Sequence, residues 1–255
     1  MGLPRYAATR YVLPLREGGS LPAIVDTDEP GQFVVKFRGA GQGPRALVAE
    51  VIAAGLARAC GLPVPDAAVI ELAEGFGLSE PDPEIQDLLR ASVGLNFGLR
   101  YVPGALAFDP IVDGPLVDDL FASAIVWFDA LIMNVDRTPR NPNLLVEDGR
   151  VWLIDHGASL YFHHQPGDWR ARAADRFPLI REHILLPQAT RLLEIDEALR
   201  PRLTATALAA VLASVPDEWL GPGPERDRAA YAGFFSDRLE RERGWLEEAL
   251  RAREG

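Results

Sequence analysis

Alternating apolar and polar residues in the first third of the chain predict a small β-sheet. Short apolar runs bounded by turn residues predict strands at 10–16 and 66–72, and a β-hairpin at 23–37 that turns at DEPG. The nearly uninterrupted apolar run at 45–60 predicts a helix, which the following GLP ends. We therefore expect the first third to be rich in sheet and to contain one important helix.

The pattern changes after a region that is difficult to assign. Residues 76–110 are rich in Gly and Pro, and we interpret 96–110 within them as a connection between two parts of the chain. The run at 116–134 predicts a long apolar helix, and the two prolines in 135–143 exclude a helix there. LLVEDGRVWLID, at 144–155, predicts a hairpin with a Glu-Asp-Gly turn.

The last third of the chain has helical patterns. Helices are predicted at 177–186, 198–215 and 224–254. The final helix mixes both signs of charge, which indicates a solvated face more than a partner site.

Composition indicates an ordinary globular protein. The 255 residues are 48% hydrophobic and 25% charged, enough for one large domain or two lobes. A net charge of −11 argues against nucleic acid or an anionic membrane as partner. The single cysteine, Cys60, excludes an internal disulfide, fits a reducing cytoplasm and is expected to be buried. With no membrane-length apolar stretch and no signal sequence, a soluble cytoplasmic protein is expected.

Lys36 is the only lysine in the chain, and its strand places it opposite two phenylalanines. Phe33 and Phe37 point to one face of the predicted strand and Lys36 to the other. A lysine ammonium is a compact point charge, whereas an arginine guanidinium is a wide planar fork. A position that needs a point charge would therefore resist replacement by arginine, although one leftover lysine also fits chance.

Glu50 is the only charged residue between Arg45 and Arg58 in the predicted apolar helix. A buried carboxylate is costly unless it is paired, and Lys36, one loop upstream, is the obvious partner. A water-facing position on an amphipathic helix is the simpler alternative. Taken alone, Glu50 fits that alternative better.

The segment after the long helix carries four residues with the chemistry of phosphoryl transfer. Asp136, Asn141 and Asn143 lie in its loop, and Asp155 ends the hairpin that follows. In such a reaction one carboxylate orients the nucleophile, an amide oxygen and a second carboxylate bind Mg²⁺, and a lysine neutralises phosphate oxygens. Turn chemistry alone accounts for the Asp, Asn and Pro of the loop. It does not account for Asp155 or for a Lys–Glu pair upstream.

The order of these motifs resembles the protein-kinase-like fold. FVVKFRGAGQGPRALVAEVIA, NVDRTPRNPNLL and LIDHG together resemble the HipA-like kinases, atypical serine/threonine kinases named for a bacterial persistence toxin, over roughly positions 18–160. LIDHG is similar to the metal-binding Asp-Phe-Gly, with His156 in place of Phe. The chain is shorter than the founding toxin. The toxin's activity and its DNA-linked repression are therefore not carried over to this chain.

The resemblance implies an α+β, bilobed protein-kinase-like fold that binds ATP and Mg²⁺ between its lobes. The β-rich N-lobe would span 1–100 and the mainly helical C-lobe 101–255. Lys36 would contact the α/β-phosphates and pair with Glu50, and Asp136 would be the catalytic base.

The resemblance also implies a metal site and a phosphate-covering loop. Asp155 would be one metal ligand. The second is either Asn141, by its spacing from Asp136, or Asn143, by its position directly before LLV. No G-x-G-x-x-G precedes the lysine, and the only candidate covering loop is Gly18-Gly19-Ser20.

The expected acceptor is a serine or threonine hydroxyl of a protein. Kinases of small molecules or lipids share this site and remain an alternative, although an acidic protein fits an anionic membrane poorly. A pseudokinase is a second alternative, against which the complete set of site residues argues. The sequence does not reveal the oligomeric state.

Other functions fit less well. Gly39, Gly41 and Gly43 form G-x-G-x-G and not the dinucleotide-binding G-x-G-x-x-G, and no Walker A loop exists. His163 and His164 suggest a metal site with His156, but adjacent histidines usually point apart and no Cys or carboxylate completes it. For His183 a structural role is expected.

Overall fold

The computed structural model describes residues 2–15, 21–78 and 80–254. Within these residues the chain is a mixed α+β protein with two sheets and seven α-helices. The proposed phosphate-covering loop Gly18-Gly19-Ser20 lies outside the described residues. None of the helices in the described part of the chain has the combination of length and hydropathy that a bilayer crossing requires.

Five strands within the first hundred residues form a closed barrel. The order around it is β1-β2-β3-β5-β4, and the parallel pairing of β1 with β4 closes it. The strands are Arg5–Pro14 (β1), Ala23–Thr27 (β2), Gln32–Lys36 (β3), Ala67–Leu72 (β4) and Gly94–Arg100 (β5). The predicted hairpin is confirmed as β2 and β3, and the first strand begins about five residues earlier than predicted.

The Gly- and Pro-rich region 76–110, which the sequence left unassigned, contains one helix and one barrel strand. Helix α2 (Pro83–Ala91) is one, and Asp82 caps it by accepting a hydrogen bond from the Glu84 backbone N–H at 3.0 Å. Strand β5 is the other, paired with both β3 and β4. Since β5 ends at Arg100, the connection predicted at 96–110 is partly a barrel strand.

Helix α1, Gly43–Cys60, covers the side of the barrel from which Lys36 projects. Phe33 and Val35 point into the barrel, whereas Lys36 lies on the opposite face of β3, beside Phe97 of β5. Phe97 belongs to the same hydrophobic cluster as the buried residues of α1. The alternation predicted for this strand is therefore confirmed, and it directs Lys36 towards the helix that carries Glu50.

Helix α1 has apolar residues around nearly its whole circumference, which matches its burial against the barrel and against other helices. Beyond the barrel it packs against α5, Ala205–Ala213. At Gly55 the approach is so close that a Cβ would lie 2.8 Å from Val211 Cγ1. This burial explains why the helix lacks a polar face for Glu50 to share.

The loop with Asp136 is held between a long helix and a second sheet. Helix α3, Asp119–Ile132, ends at Met133, which has a positive φ of 54°. The buried Arg238 guanidinium donates to the α3 carbonyls of Ala130 and Leu131, each at 2.9 Å, where a cation favours a helix C-terminus. The second sheet follows the order Leu106–Ala107 (β6), Leu144–Glu147 (β7) and Arg150–Leu153 (β8).

The last third is helical, with shorter helices than the sequence predicts. The predicted helix at 177–186 is wrong, because that segment forms 3₁₀ turns starting at Pro178 and Leu186. The other two predicted helices are each interrupted. The α-helices here are Leu192–Leu199 (α4), α5, Pro224–Glu240 (α6) and Gly244–Glu254 (α7).

Candidate active site

Lys36 joins a buried glutamate of α1 to the aspartate at the end of the β7–β8 hairpin. Its Nζ donates to Glu50 Oε1 and, at 2.5 Å, to Asp155 Oδ1. The Glu50 side chain is 0% exposed, so its water-facing alternative is wrong. The Asp155 side chain is 41% exposed, so solvent reaches the Lys36–Asp155 ion pair from the Asp155 side.

The three groups shift one another's pKa. Burial by itself would lower the pKa of Lys36, but the two carboxylates raise that pKa above its ordinary value. Burial raises the pKa of Glu50 against the effect of Lys36. Burial would also raise the pKa of Asp155, yet Lys36 holds that pKa below its ordinary value. The ammonium is therefore charged at neutral pH.

Asp136 is bound by both of the asparagines that the sequence singles out. Its Oδ2 accepts from Asn141 Nδ2 at 2.9 Å and from Asn143 Nδ2 at 3.3 Å, and its backbone oxygen accepts from Asn143 Nδ2 at 3.1 Å. Because a carboxylate only accepts, the amide nitrogens face it and the amide oxygens point elsewhere. Neither amide oxygen accepts a hydrogen bond from a described residue, so both are free to bind a cation.

The two asparagines differ in their surroundings. Asn143 is buried and its backbone oxygen accepts from Ile154 N at 3.1 Å, so it lies beside the residue that precedes Asp155. Asn143 and Asp155 both have a positive φ, 49° and 55°, a strained backbone conformation that is concentrated at functional sites. Asn141 is exposed and pairs with Thr138 at the tip of the loop.

Arg137, which the sequence analysis did not identify, holds this loop from inside. It is 1% exposed. Its guanidinium donates to Asp129 Oδ2 at 2.5 Å and to the backbone oxygen of Asn143, and it contacts His156 Nε2 at 3.1 Å. One side chain thus ties the Asp136 loop to α3 and to the end of β8.

Asp129 of α3 holds the Arg137 guanidinium in place. It is fully buried in α3 and also contacts His183 Nε2 at 2.9 Å. His183 Nδ1 accepts from Leu185 N at 3.1 Å, so its proton is on Nε2 and is donated to the carboxylate. Burial alone would raise the pKa of Asp129, but Arg137 and His183 hold that pKa well below its usual range. The structural role predicted for His183 is confirmed.

A sequence signal for this network existed. Asp129 is the only charged residue between Asp119 and Asp136 in an apolar helix, the same pattern that singled out Glu50. A buried acid requires a cation, and Arg137 is the nearest one along the chain. The same reasoning would therefore have paired these two residues.

The remaining histidines do not form a metal site in the described residues. His163 Nδ1 contacts the Tyr231 hydroxyl at 2.7 Å, and its Nε2 lies 3.2 Å from His164 Nε2. The expectation that these adjacent rings point apart is therefore wrong. No group of three or more His, Cys, Asp or Glu that would hold a metal occurs within 2–15, 21–78 and 80–254.

The dinucleotide-binding alternative is also excluded by the strand order. That motif requires two parallel neighbouring strands joined by the helix after the glycines. Here α1 connects β3 to β4, and β5 lies between them in antiparallel pairing with both. The glycines at 39–43 form the turn that leads into α1.

Two comparisons with known proteins match the chain. A family model described as HipA-like kinase matches residues 11–242. Twelve chains of solved structures are similar, among them the Helicobacter pylori proinflammatory kinase CtkA, with 12% sequence identity, a TM-score of 0.59, and coverage of 95% of this chain and 97% of that chain. No curated protein sequence matches. The structural match shows a common fold, and the family match extends over most of the chain.

Proposed function

Because the chain belongs to the HipA-like kinase family and is therefore a phosphotransferase, we propose that it transfers the γ-phosphoryl group of ATP to a hydroxyl group in a Mg²⁺-dependent reaction. The observation that carries the proposal is the contact of Lys36 with both Glu50 and Asp155, which lie 14 and 119 residues away in sequence. A buried cation between one buried and one half-exposed carboxylate is suited to hold phosphate oxygens at the solvent-facing side.

The proposed fold is bilobed, with an N-lobe at 1–100 and a C-lobe at 101–255. The closed barrel falls within the first range, and α3 to α7 fall within the second. ATP would bind between the two, because Lys36 belongs to the first range and Asp155 to the second. Gly18-Gly19-Ser20 stays a prediction for the loop that covers the phosphates.

Each site residue has one proposed role. Lys36 binds the α/β-phosphates and Glu50 orients it. Asp136 accepts the proton of the attacking hydroxyl, a role that fits a carboxylate whose oxygen is already held by two amide N–H groups. Because these hydrogen bonds already hold the Asp136 carboxylate in place, it does not have to be ordered during the reaction.

The residues present fit Mg²⁺. Magnesium prefers oxygen ligands, and Asp155 offers a carboxylate while the asparagines offer free amide oxygens. Mg²⁺ neutralises the charge of the phosphate oxygens when bound. We propose Asp155 and Asn143 as the ligands, because the Ile154–Asn143 hydrogen bond brings them together. Asn141 then serves mainly to orient Asp136.

Substituting each of the two asparagines separately should distinguish metal binding from orientation of Asp136. Asn143→Gly, which tolerates the positive φ at this position, is expected to raise the Mg²⁺ concentration for half-maximal activity about tenfold. Asn141→Ala is expected to lower kcat about threefold to tenfold with an unchanged Mg²⁺ requirement, because Asp136 loses one of its donors. Mg²⁺ titrations of turnover measure both effects. The reverse pattern would assign the metal to Asn141.

The preferred acceptor is a serine or threonine of a protein, in the cytoplasm. An acidic chain supports neither nucleic acid nor an anionic membrane as partner. The buried Cys60 fits a reducing compartment. Small-molecule or lipid acceptors and a nucleotide-binding pseudokinase remain the competing proposals.

Incubation with γ-labelled ATP and Mg²⁺, alone and with fractionated bacterial lysate, tests the proposal. Label is expected in protein bands, with the phosphate stable to conditions that hydrolyse acyl phosphates. Label confined to small molecules or lipids would support those acceptors instead. Nucleotide binding without any transfer, including to water, would support the pseudokinase.

A further inference from the structure

His156 stands between Asp155 and Gly157, where the resembled Asp-Phe-Gly motif has a phenylalanine. The ring is 1% exposed and meets Phe128 edge to face, with ring centroids 6.0 Å apart. A phenylalanine would preserve that apolar contact and fill a similar volume. What the histidine adds to the site is therefore its two ring nitrogens.

The surroundings fix which nitrogen carries the proton. Arg137 Nη2 lies 3.1 Å from His156 Nε2, and a guanidinium only donates, so Nε2 accepts. Since Nε2 accepts and therefore carries no proton, the ring is neutral and its one proton is on Nδ1. The donor Nδ1 is thus on the side of the ring that faces away from Arg137.

That donor lies next to an unpaired buried acceptor. His156 Nδ1 is 4.0 Å from Glu50 Oε2, and this oxygen has no partner at hydrogen-bond distance and angle among the described residues, although the backbone N–H of His156 also faces the Glu50 carboxylate. A buried carboxylate oxygen is unfavourable without a donor nearby. At 4.0 Å the interaction is electrostatic, because a hydrogen bond would require the two atoms to lie about 1 Å closer.

Close packing keeps the two groups together. A Cβ at Gly157 would lie 3.1 Å from Glu50 Oε1 and 3.8 Å from the Ala46 backbone oxygen. The backbone after His156 therefore runs directly against α1 at the level of the glutamate. A side chain at position 157 would require the Glu50 carboxylate to shift by a few tenths of an ångström.

We propose that His156 is a positioning residue that links Glu50 to Arg137. Through it, the lysine that holds the phosphates and the loop that carries Asp136 keep one relative geometry. The inference rests on the proposed function, because it assigns a role within the same reaction. It adds a residue that touches neither substrate nor metal.

Three substitutions distinguish this role from simple packing. His156→Phe keeps the ring volume and removes both nitrogens, His156→Asn keeps a donor near the Nδ1 position, and His156→Gln keeps an acceptor near the Nε2 position. Because His156→Phe removes a hydrogen bond to the charged Arg137, it is expected to lower kcat about tenfold to hundredfold with less than a threefold change in the KM for ATP. The two amide variants are expected to retain more kcat than His156→Phe.

Two outcomes would overturn the inference. One is wild-type kcat in His156→Phe. The other is kcat in His156→Phe equal to or above that of either amide variant, because packing alone favours phenylalanine, which preserves the contact with Phe128. Each variant is assayed below its own unfolding temperature, so that loss of folded protein does not mimic loss of kcat.

A stability measurement keeps the inference separate from the proposed function. In a double-mutant cycle of His156→Phe and Glu50→Gln, the unfolding free energies are expected to be non-additive, because each change alters the same contact. If the wild type shows no turnover at all, the proposed function fails, and the cycle alone then decides. Additive effects in that cycle would overturn the link between His156 and Glu50.

Discussion

Asp136→Asn is expected to lower the rate of phosphoryl transfer by about 10²–10⁴-fold, the usual contribution of a general base, with little change in nucleotide affinity. Asparagine has nearly the shape of aspartate, but its amide cannot accept the proton of an attacking hydroxyl. Asn141 and Asn143 each lose a charged acceptor, so the loop is weakened but keeps its buried attachment through Arg137.

The measurements are single-turnover transfer from labelled ATP and equilibrium binding of a non-hydrolysable analogue. Asp87→Asn is the matched control, because Asp87 is an exposed carboxylate in α2 whose only ion-pair partner among the described residues is Arg90 of the same helix. The control is expected to keep wild-type values of both. Full transfer in Asp136→Asn would remove this residue from the catalytic role.

Lys36→Met is expected to reduce kcat/KM for ATP by about 10²–10³-fold, the loss seen when one preorganised donor is removed. It should also destabilise the fold by about 3–5 kcal/mol, because Glu50 stays buried without its cation. Adding Glu50→Gln to Lys36→Met is expected to recover much of this stability and none of the activity. Denaturant unfolding and steady-state kinetics measure the two effects separately.

Lys36→Arg tests whether the position requires a point charge. The charge is retained, but a planar fork does not fit between Glu50 Oε1 and Asp155 Oδ1 as an ammonium does. We expect kcat/KM to fall about tenfold or more. Wild-type activity would show that any cation suffices here.

The uniqueness of Lys36 offers a direct control for nucleotide binding. Since it is the only lysine in the chain, a lysine-reactive ATP analogue is expected to modify a single side chain, and excess ATP should protect it. Lys36→Met should abolish that modification. Labelling that ATP does not protect against would place the nucleotide elsewhere.

Much of the fold was predictable because its signals are local. The alternation in β3, the apolar run of α1 and the Glu-Asp-Gly turn of the β7–β8 hairpin each depend on neighbouring residues. In that turn Asp148 and Gly149 both have a positive φ, as such turns require. Strand β5 was missed because its glycines and asparagine, at Gly94, Asn96 and Gly98, are typical of loops.

The breaks in the C-terminal helices were missed for a related reason. Helical periodicity continues through 224–254, yet α6 ends at Glu240 and α7 begins at Gly244. There the indole of Trp245 donates to the Arg238 carbonyl at 2.9 Å and the ring packs against Trp127. Tertiary packing thus overrides the helix propensity of Arg241, Glu242 and Arg243.

By itself, the sequence determined which residue types are available and in what order: one lysine, a lone acid in an apolar helix, and an Asp–Asn loop before a hairpin that ends in Asp155. Only the tertiary structure decided which of them meet. Lys36 and Asp155 are 119 residues apart, and nothing local in either segment specifies the other. The difference between Asn141 and Asn143, and the buried Arg137 that fixes their loop, likewise follow from contacts made between distant elements. Hydrophobic periodicity determines the face on which a side chain lies, whereas only packing determines what that face meets.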